Sequence, residues 1–425
     1  MKGRQRLREQ GPDPIGCCSG RGQNDCKRSV DRASGYLDSP TLYAFRRMPY
    51  KIPLFDLNYG PEEEKAVLET IRSKWISTGP KTAALETKFA EMLDSGYAVA
   101  LSNCTVALHL ALTLLDIRDG DEVICPSLTF VATVNPIRYL RAAPVFCDIA
   151  GTGDLNLDPL KIESLITRRT RAIVVMHYGG FPCRMDQIMA IAAKHGLRVI
   201  EDACHGPLSE FCGKKLGTIG DIGCFSFFSN KNISTGEGGM LVTHDEQCAR
   251  RAKLLRSHGM TSLSYDRAQG HVTAYDVVEL GYNYRMDDIR AALALAQLAK
   301  LKDDLAQRAR VRRLYLKKLS GLPIAIPFCD HAGPVSNYIF PIVLLDSDAP
   351  RRDAVRQTMQ EDGIQTSVHY PAVHRFSIYA SADTRLPVTD YVTDNLISLP
   401  MFGALSEDAV DQIVESLKRG LAAHA

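Results

Sequence analysis

Short apolar runs alternate along this chain with longer stretches in which apolar residues recur every three to four positions. The runs at 97–101, 122–125, 144–148, 172–176, 198–201 and 224–228 are each bounded by polar or glycine-containing turns and read as buried strands. Between them the spacing predicts helices. One opens at Pro61 behind Glu62, Glu63 and Glu64, with Val67, Leu68, Ile71 and Trp75 on one stripe. Others cover 83–93, the stretch from Ser102–Thr105 to Leu115, and 185–195. Strand alternating with helix implies a mostly parallel sheet with helices on both faces, and such sheets bind ligands beyond the carboxyl ends of their strands.

After the last glycine-rich turn the pattern becomes more helical. Asp287 and Asp288 open an alanine-rich helix through Leu298, and a helix dense in Lys and Arg covers 302–319. A strand at 338–345, a helix at 351–361, a strand at 365–369 and a closing helix at 407–421 complete a smaller α/β domain. Residues 1–47 have no periodicity and are rich in Arg, Gly, Ser and Asp, so they are expected to form a disordered extension, with Met48 as the natural start of the folded part. The expected division is therefore 1–47, a large domain over 48–300 and a small one over 301–425.

Composition narrows the class. A hydrophobic content of 45% with 24% charged residues over 425 residues describes an ordinary globular chain with room for two or three domains. The net charge of +2 gives no general attraction to nucleic acid or to an anionic membrane, and the basic helix at 302–319 reads as a solvated face. The most lipid-like segment, 123–137, is interrupted by Pro126, Asn135 and Pro136 and is too short to span a bilayer. Twelve cysteines are scattered with no C-x-x-C pair, which speaks against zinc and for reduced thiols in a cytoplasmic protein.

Candidate chemistry sits at the strand ends. Lys231 follows the aromatic strand C-F-S-F-F, where burial would disfavour its ammonium and leave an amine able to attack a carbonyl. Asp202 ends the run L-R-V-I-E-D. The turn Ser102-Asn103-Cys104-Thr105 opens a helix, which makes either an anion site or a simple cap by Asn103 or Thr105. Phe130 follows another strand end. A lysine, a carboxylate, helix-start amides and an aromatic ring on one edge are the groups that pyridoxal phosphate requires.

As an ordered set these pieces resemble the DegT/DnrJ/StrS family of nucleotide-sugar aminotransferases. The set comprises S-T-G-P at Ser77, S-N-C-T-V-A-L-H at Ser102, P-S-L-T-F-V-A-T at Pro126, E-D-A-C-H-G at Glu201 and G-D-I-G-C-F-S-F-F-S-N-K-N at Gly220. It continues with T-G-E-G-G at Thr235, G-Y-N-Y-R-M at Gly281, V-H-Y-P at Val368 and S-L-P-M at Ser398. The resemblance covers roughly residues 50 to 422 and implies the fold type I pyridoxal-phosphate architecture, with a seven-stranded, mostly parallel sheet in the large domain. It implies that Lys231 holds the cofactor aldehyde and moves protons once displaced, that Asp202 pairs with the pyridine nitrogen, and that Ser226, Cys104 and Thr105 bind the phosphate. Phe130 would stack on the ring, and His205 would contact the ring hydroxyl. Asn283 would reach the phosphate of a neighbouring subunit, and His369 and Tyr370 would meet the sugar. The phosphate turn departs from the family's usual Ser-Gly-Thr or Ser-Ala-Thr in reading Asn103-Cys104-Thr105; cysteine is still small, so phosphate binding is expected to survive.

The expected activity is transfer of an amino group, from glutamate, onto a nucleotide-linked keto-sugar, in a homodimer with shared sites and no metal. A keto-cyclitol aminotransferase would share every cofactor residue. The family's dehydratases carry histidine where this chain has Lys231. A non-catalytic regulator would have no reason to keep Lys231, Asp202 and Ser226 together.

Overall fold

A computed structural model describes residues 50–262, 270, 274–382 and 384–424. The expected extension over 1–47 and the start at Met48 lie outside the described residues. From Tyr50 onward the chain forms one compact unit.

Its centre is a seven-stranded sheet in the order β1-β9-β8-β5-β4-β2-β3. The strands are β1 (Tyr97–Leu101), β2 (Glu122–Pro126), β3 (Ala143–Cys147), β4 (Thr170–Met176), β5 (Arg198–Asp202), β8 (Ile222–Ser226) and β9 (Gly239–Thr243). A two-stranded ribbon, β6 (Glu210–Phe211) with β7 (Lys214–Lys215), lies between β5 and β8 in sequence. Pairs β2–β3, β2–β4, β4–β5 and β5–β8 are parallel, and β9 runs antiparallel to both its neighbours. Because β9 is reversed, its amino-terminal Gly239 pairs with the carboxyl-terminal Ser226 and Leu101. One edge of the sheet thus collects the ends of β1, β4, β5 and β8 and the start of β9.

Both faces are covered, as side-chain alternation requires. Val99 and Leu101 pack with Leu108 and Leu112 of the helix Cys104–Leu114, whereas Ala98 and Ala100 face Leu85 and Phe89 of the helix Pro80–Leu93. Phe89 meets Phe225 and Phe227 edge-on at 5.1 and 5.6 Å between ring centres. Helices Pro159–Leu165 and Met185–His195 cover β2, β4 and β5 through Ile162, Ile188 and Ala192.

A second, antiparallel sheet follows: β10 (Ile324–Ala325), β11 (Phe340–Leu344) and β12 (Leu396–Leu399), packed on the helices Ala349–Glu361 and Glu407–Ala423. The beginning of the described chain joins this layer, since Ile52 donates to Gly363 O and accepts from Gln365 N–H.

Three local expectations change. The helices foreseen on either side of residue 300 are one continuous helix, Asp288–Lys318, capped by Asp287. No strand forms at 365–369; Gln365 bonds Ile52 instead and only Ser367 bridges to β12. In the first helix, Pro61–Arg72, the buried positions are Glu63 and Thr70, while Leu68 and Ile71 are exposed. Glu63 binds Gln297 and Lys300 of the long helix, so polar pairing rather than the apolar stripe decides which face turns inward.

Candidate active site

Lys231 occupies the turn after β8. Its amide donates to Phe228 O, and Thr235 N–H closes the loop on Phe227 O. Asn232 donates to Ser336 O from the chain leading into β11, and this brings the next residue but one, Tyr338, beneath the lysine: Nζ lies 4.1 Å from the Tyr338 ring centre. The sequence suggested that burial would depress this lysine. Burial does act that way, but the Tyr338 hydroxyl, Cys204 and Asp202 outweigh it and hold the ammonium above the ordinary lysine value. That is a correction, and its cause is a set of neighbours drawn from two segments remote from the lysine's own.

Asp202, at the end of β5, is 3% exposed. Its Oδ2 accepts from Thr133 Oγ1 at 2.7 Å, Thr133 is itself bonded to Thr129 at 2.6 Å, and Oδ1 accepts from Cys204 N–H. The carboxylate is therefore held from both oxygens. Thr129 and Thr133 flank Phe130, so the segment presenting that ring also orients Asp202. Phe130 is exposed, with its ring centre 5.9 Å from Tyr370.

At the end of β1, Asn103 caps the helix Cys104–Leu114 by accepting from Val106 N–H. The cap is thus observed at Asn103, while the Cys104 and Thr105 amides have no acceptor among the described residues and stay open to an anion. Gly239 makes the closeness of this turn possible: a Cβ there would lie 2.4 Å from Asn103 C and 2.7 Å from Cys104 N. Ser226, across the pair from Gly239, accepts from Phe228 N–H.

His205 is buried with both ring nitrogens engaged. Nδ1 accepts from Gly179 N–H, which places the proton on Nε2, and Nε2 donates to the Tyr370 hydroxyl Oη at 2.9 Å. Its ring stacks on Tyr338 at 4.2 Å. Burial first, then the charges of Lys231, His369 and His177, drive its pKa well below the usual histidine range. His369 bonds Ser398 Oγ through Nδ1, and burial with the Lys231 charge pushes it down to about 4. Asn283 is exposed on an extended segment beside Ser257, and it does not cap the helix that follows, which Asp287 does.

Under the site, His177 and Glu201 form a fully buried pair at 2.8 Å. Glu201 also accepts from the amides of Gly217, Ile219 and Gly220. Burial opposes its charged form, but His177 first, and then the Gly220 and Gly217 amides, hold its carboxyl low. The pair ties β4 and β5 to the loop before β8.

Tyr338, Thr133, Ser336 and the His177–Glu201 pair were not foreseen. Tyr338 stood in the sequence as the first apolar position of a strand; only the Asn232–Ser336 bond carries it to Lys231.

A lysine, a doubly anchored carboxylate, two free helix-start amides and a glycine-lined turn on one sheet edge fit pyridoxal phosphate. Buried Asn230 Oδ1 and Asn232 Oδ1 beside Lys231, neither with a partner, mark the loop as built around something further. This fold and site define a fold type I pyridoxal-phosphate-dependent aminotransferase. The chain belongs to the DegT/DnrJ/EryC1/StrS aminotransferase family, whose model matches residues 58–418. It is 37% identical to the spore coat polysaccharide biosynthesis protein SpsC of Bacillus subtilis over 87% of this chain and 96% of that protein. Among solved structures, Spr1654 of Streptococcus pneumoniae, seen in PLP and PMP forms, superposes with a TM-score of 0.83 at 28% identity and about 27% for the PLP form, covering 88% of this chain and 100% of that one. PseC of Helicobacter pylori, an aminotransferase involved in the biosynthesis of pseudoaminic acid, gives 0.81 at 28% identity, over 88% of this chain and 99% of that one. Among the described residues no cluster of three metal-binding side chains occurs, and no helix is long and apolar enough to cross a membrane.

Proposed function

We propose that this aminotransferase moves an amino group from glutamate onto the keto group of a nucleotide-linked sugar, as a cytoplasmic homodimer. The observation that carries the reading is the convergence of Lys231, Asp202 and Tyr338 at one sheet edge, joined to a family of sugar aminotransferases. The division into a large domain to about residue 300 and a small one beyond it is part of this reading, with the long helix Asp288–Lys318 as the connection.

The cofactor supplies an electrophilic aldehyde and a ring able to accept negative charge from the carbon beside the nitrogen. Lys231 would hold the cofactor through that aldehyde, and its Nζ would serve as the group that takes up and returns a proton beside the reacting carbon. Asp202, fixed by Thr133 and Cys204, keeps a proton on the pyridine nitrogen. The Cys104 and Thr105 amides and Ser226 bind the phosphate at the positive end of a helix. Phe130 covers the ring face. His205, locked as a neutral donor to the Tyr370 hydroxyl, sets that hydroxyl rather than taking up a proton itself, and it would stand on the ring-hydroxyl side of the cofactor. His369 and Tyr370 face the sugar. Asn283 donates to the phosphate held by the partner subunit.

The test is to incubate the purified chain with cofactor, glutamate and a panel of nucleotide keto-sugars, following the amino-sugar by mass and the visible band by absorbance. Glutamate should bleach the band, and one nucleotide keto-sugar should restore it with formation of product. Turnover of a free keto-cyclitol in preference to every nucleotide sugar would overturn the substrate assignment.

A further inference from the structure

Away from the candidate active site, a cavity of about 390 Å³ lies between the middle of the long helix and the chain leading into β11. It shares no lining residue with the site built around Lys231. Leu208 and Leu305 give it an apolar floor, and Arg312, Arg313, His331 and Asn337 give it polar walls. We propose that this cavity is a second ligand site, for an organic phosphate whose carbon skeleton carries hydroxyl groups.

Charge is the first reason. Neither Arg312 nor Arg313 has a carboxylate within 4.0 Å among the described residues. Arg312 donates to the carbonyls of Phe328 and His331 and lies 5.4 Å from the Phe181 ring centre, and burial lowers its pKa. Arg313, one residue on, is exposed and has no hydrogen-bond partner among the described residues. Two guanidinium groups lining one cavity without a carboxylate partner suit a phosphate monoester, which carries close to two negative charges at neutral pH, better than a single carboxylate.

The second reason is Asn337, which is 1% exposed. Its amide nitrogen donates to Val335 O at 2.9 Å, which fixes the orientation of the group, and its Oδ1 is buried without a partner. The residue also sits at φ +48, a left-handed conformation that is uncommon outside glycine. A buried orphan acceptor and an unfavourable backbone each cost stability. A hydroxyl donating to Oδ1 would satisfy the acceptor. His331 Nε2 is likewise buried without a partner, and burial together with Arg312 keeps that ring neutral. The phosphate would then face Arg313 in the field of Arg312, with the skeleton resting on Leu208 and Leu305.

The shared chemistry could come from a sugar phosphate or from a nucleoside phosphate, and calorimetric titration of the cofactor-loaded full chain separates them. The probes are glucose 1-phosphate, uridine 5′-monophosphate and inorganic phosphate. At least one organic phosphate should bind, with inorganic phosphate at least about tenfold weaker. Arg313→Glu, at an exposed position, should weaken binding about tenfold or more, and so should Asn337→Gly, which tolerates the same backbone. Lys231→Ala should leave binding unchanged. Four results would each overturn the proposal: no organic phosphate binding at about 10 mM, inorganic phosphate binding equally well, indifference to Arg313→Glu, or loss of binding in Lys231→Ala.

Discussion

Lys231 and Asp202 are each held by neighbours that come from other parts of the chain. Lys231→Ala should abolish transamination and the visible cofactor band while leaving the thermal midpoint close to wild type; turnover at near wild-type rate would end the assignment. Asp202→Asn keeps the shape but loses the negative charge, and its single amide oxygen can accept only one of the two bonds from Thr133 and Cys204. The expected loss is several kcal/mol of transition-state stabilisation, each ~1.4 kcal/mol being about tenfold in rate. A loss of less than about tenfold would mean that another group holds the pyridine nitrogen. The histidines give a pH signature. His369 is pushed down to about 4, and His205 lies well below its ordinary value. In the unfolded chain both take up a proton near 6.5. Between 6.5 and about 4 the unfolded state therefore binds more protons than the native one. Stability from this source is complete above pH 6.5 and is lost as pH falls through that window, by an amount on the order of 3 kcal/mol for His369. Thermal midpoints measured from pH 7 to 4 should fall less steeply in His369→Gln; an unchanged slope would exclude His369 as a source.

At the scale of elements, reversal of β9 is what assembles the phosphate turn. It sets Gly239 opposite Ser226 and Leu101 and lets the strand start lie against the Asn103–Cys104 peptide. In Gly239→Ala the added carbon would meet backbone atoms on that peptide, which cannot swing aside as a side chain could. The expected cost is about 1–3 kcal/mol of stability, together with weaker cofactor binding, read by urea unfolding and by titration of the visible band. Unchanged values for both would show that the turn yields without cost. The same scale explains the expectations that failed. Periodicity marked Leu68 and Ile71 as an inward stripe, yet Glu63, reaching Gln297 and Lys300, fixes that helix the other way round. Likewise Gln365 took a partner in Ile52, more than three hundred residues earlier in the chain, which no local pattern could announce.

For the whole molecule, the proposed homodimer makes a distinctive prediction. Asn283 is exposed and free of the capping role that Asp287 performs, so it is available to a partner. Mixing inactive Lys231→Ala chains with impaired Asn283→Ala chains under subunit exchange should restore part of the activity. In the mixed dimer one site would carry both lesions and the other neither. If exchange is demonstrated and activity stays absent, each site is built from a single chain.

Local order decided much of this protein before any tertiary contact. The alternation of apolar runs with helical periods set the parallel sheet, and the polar residues that interrupt those runs set Lys231, Asp202 and the Asn103–Thr105 turn on its edge, because strand ends in such sheets point one way. Residues brought in over long sequence separations were decided only by the folded chain. Tyr338 reaches Lys231 because Asn232 bonds Ser336, Thr133 reaches Asp202 from the next strand but one, and His205 is held neutral by burial together with the charges of Lys231, His369 and His177. The direction of the Lys231 shift follows from the same cause. Burial could be read from an apolar run, but the opposing groups at Tyr338 and Cys204 exist as neighbours only once three separate segments meet.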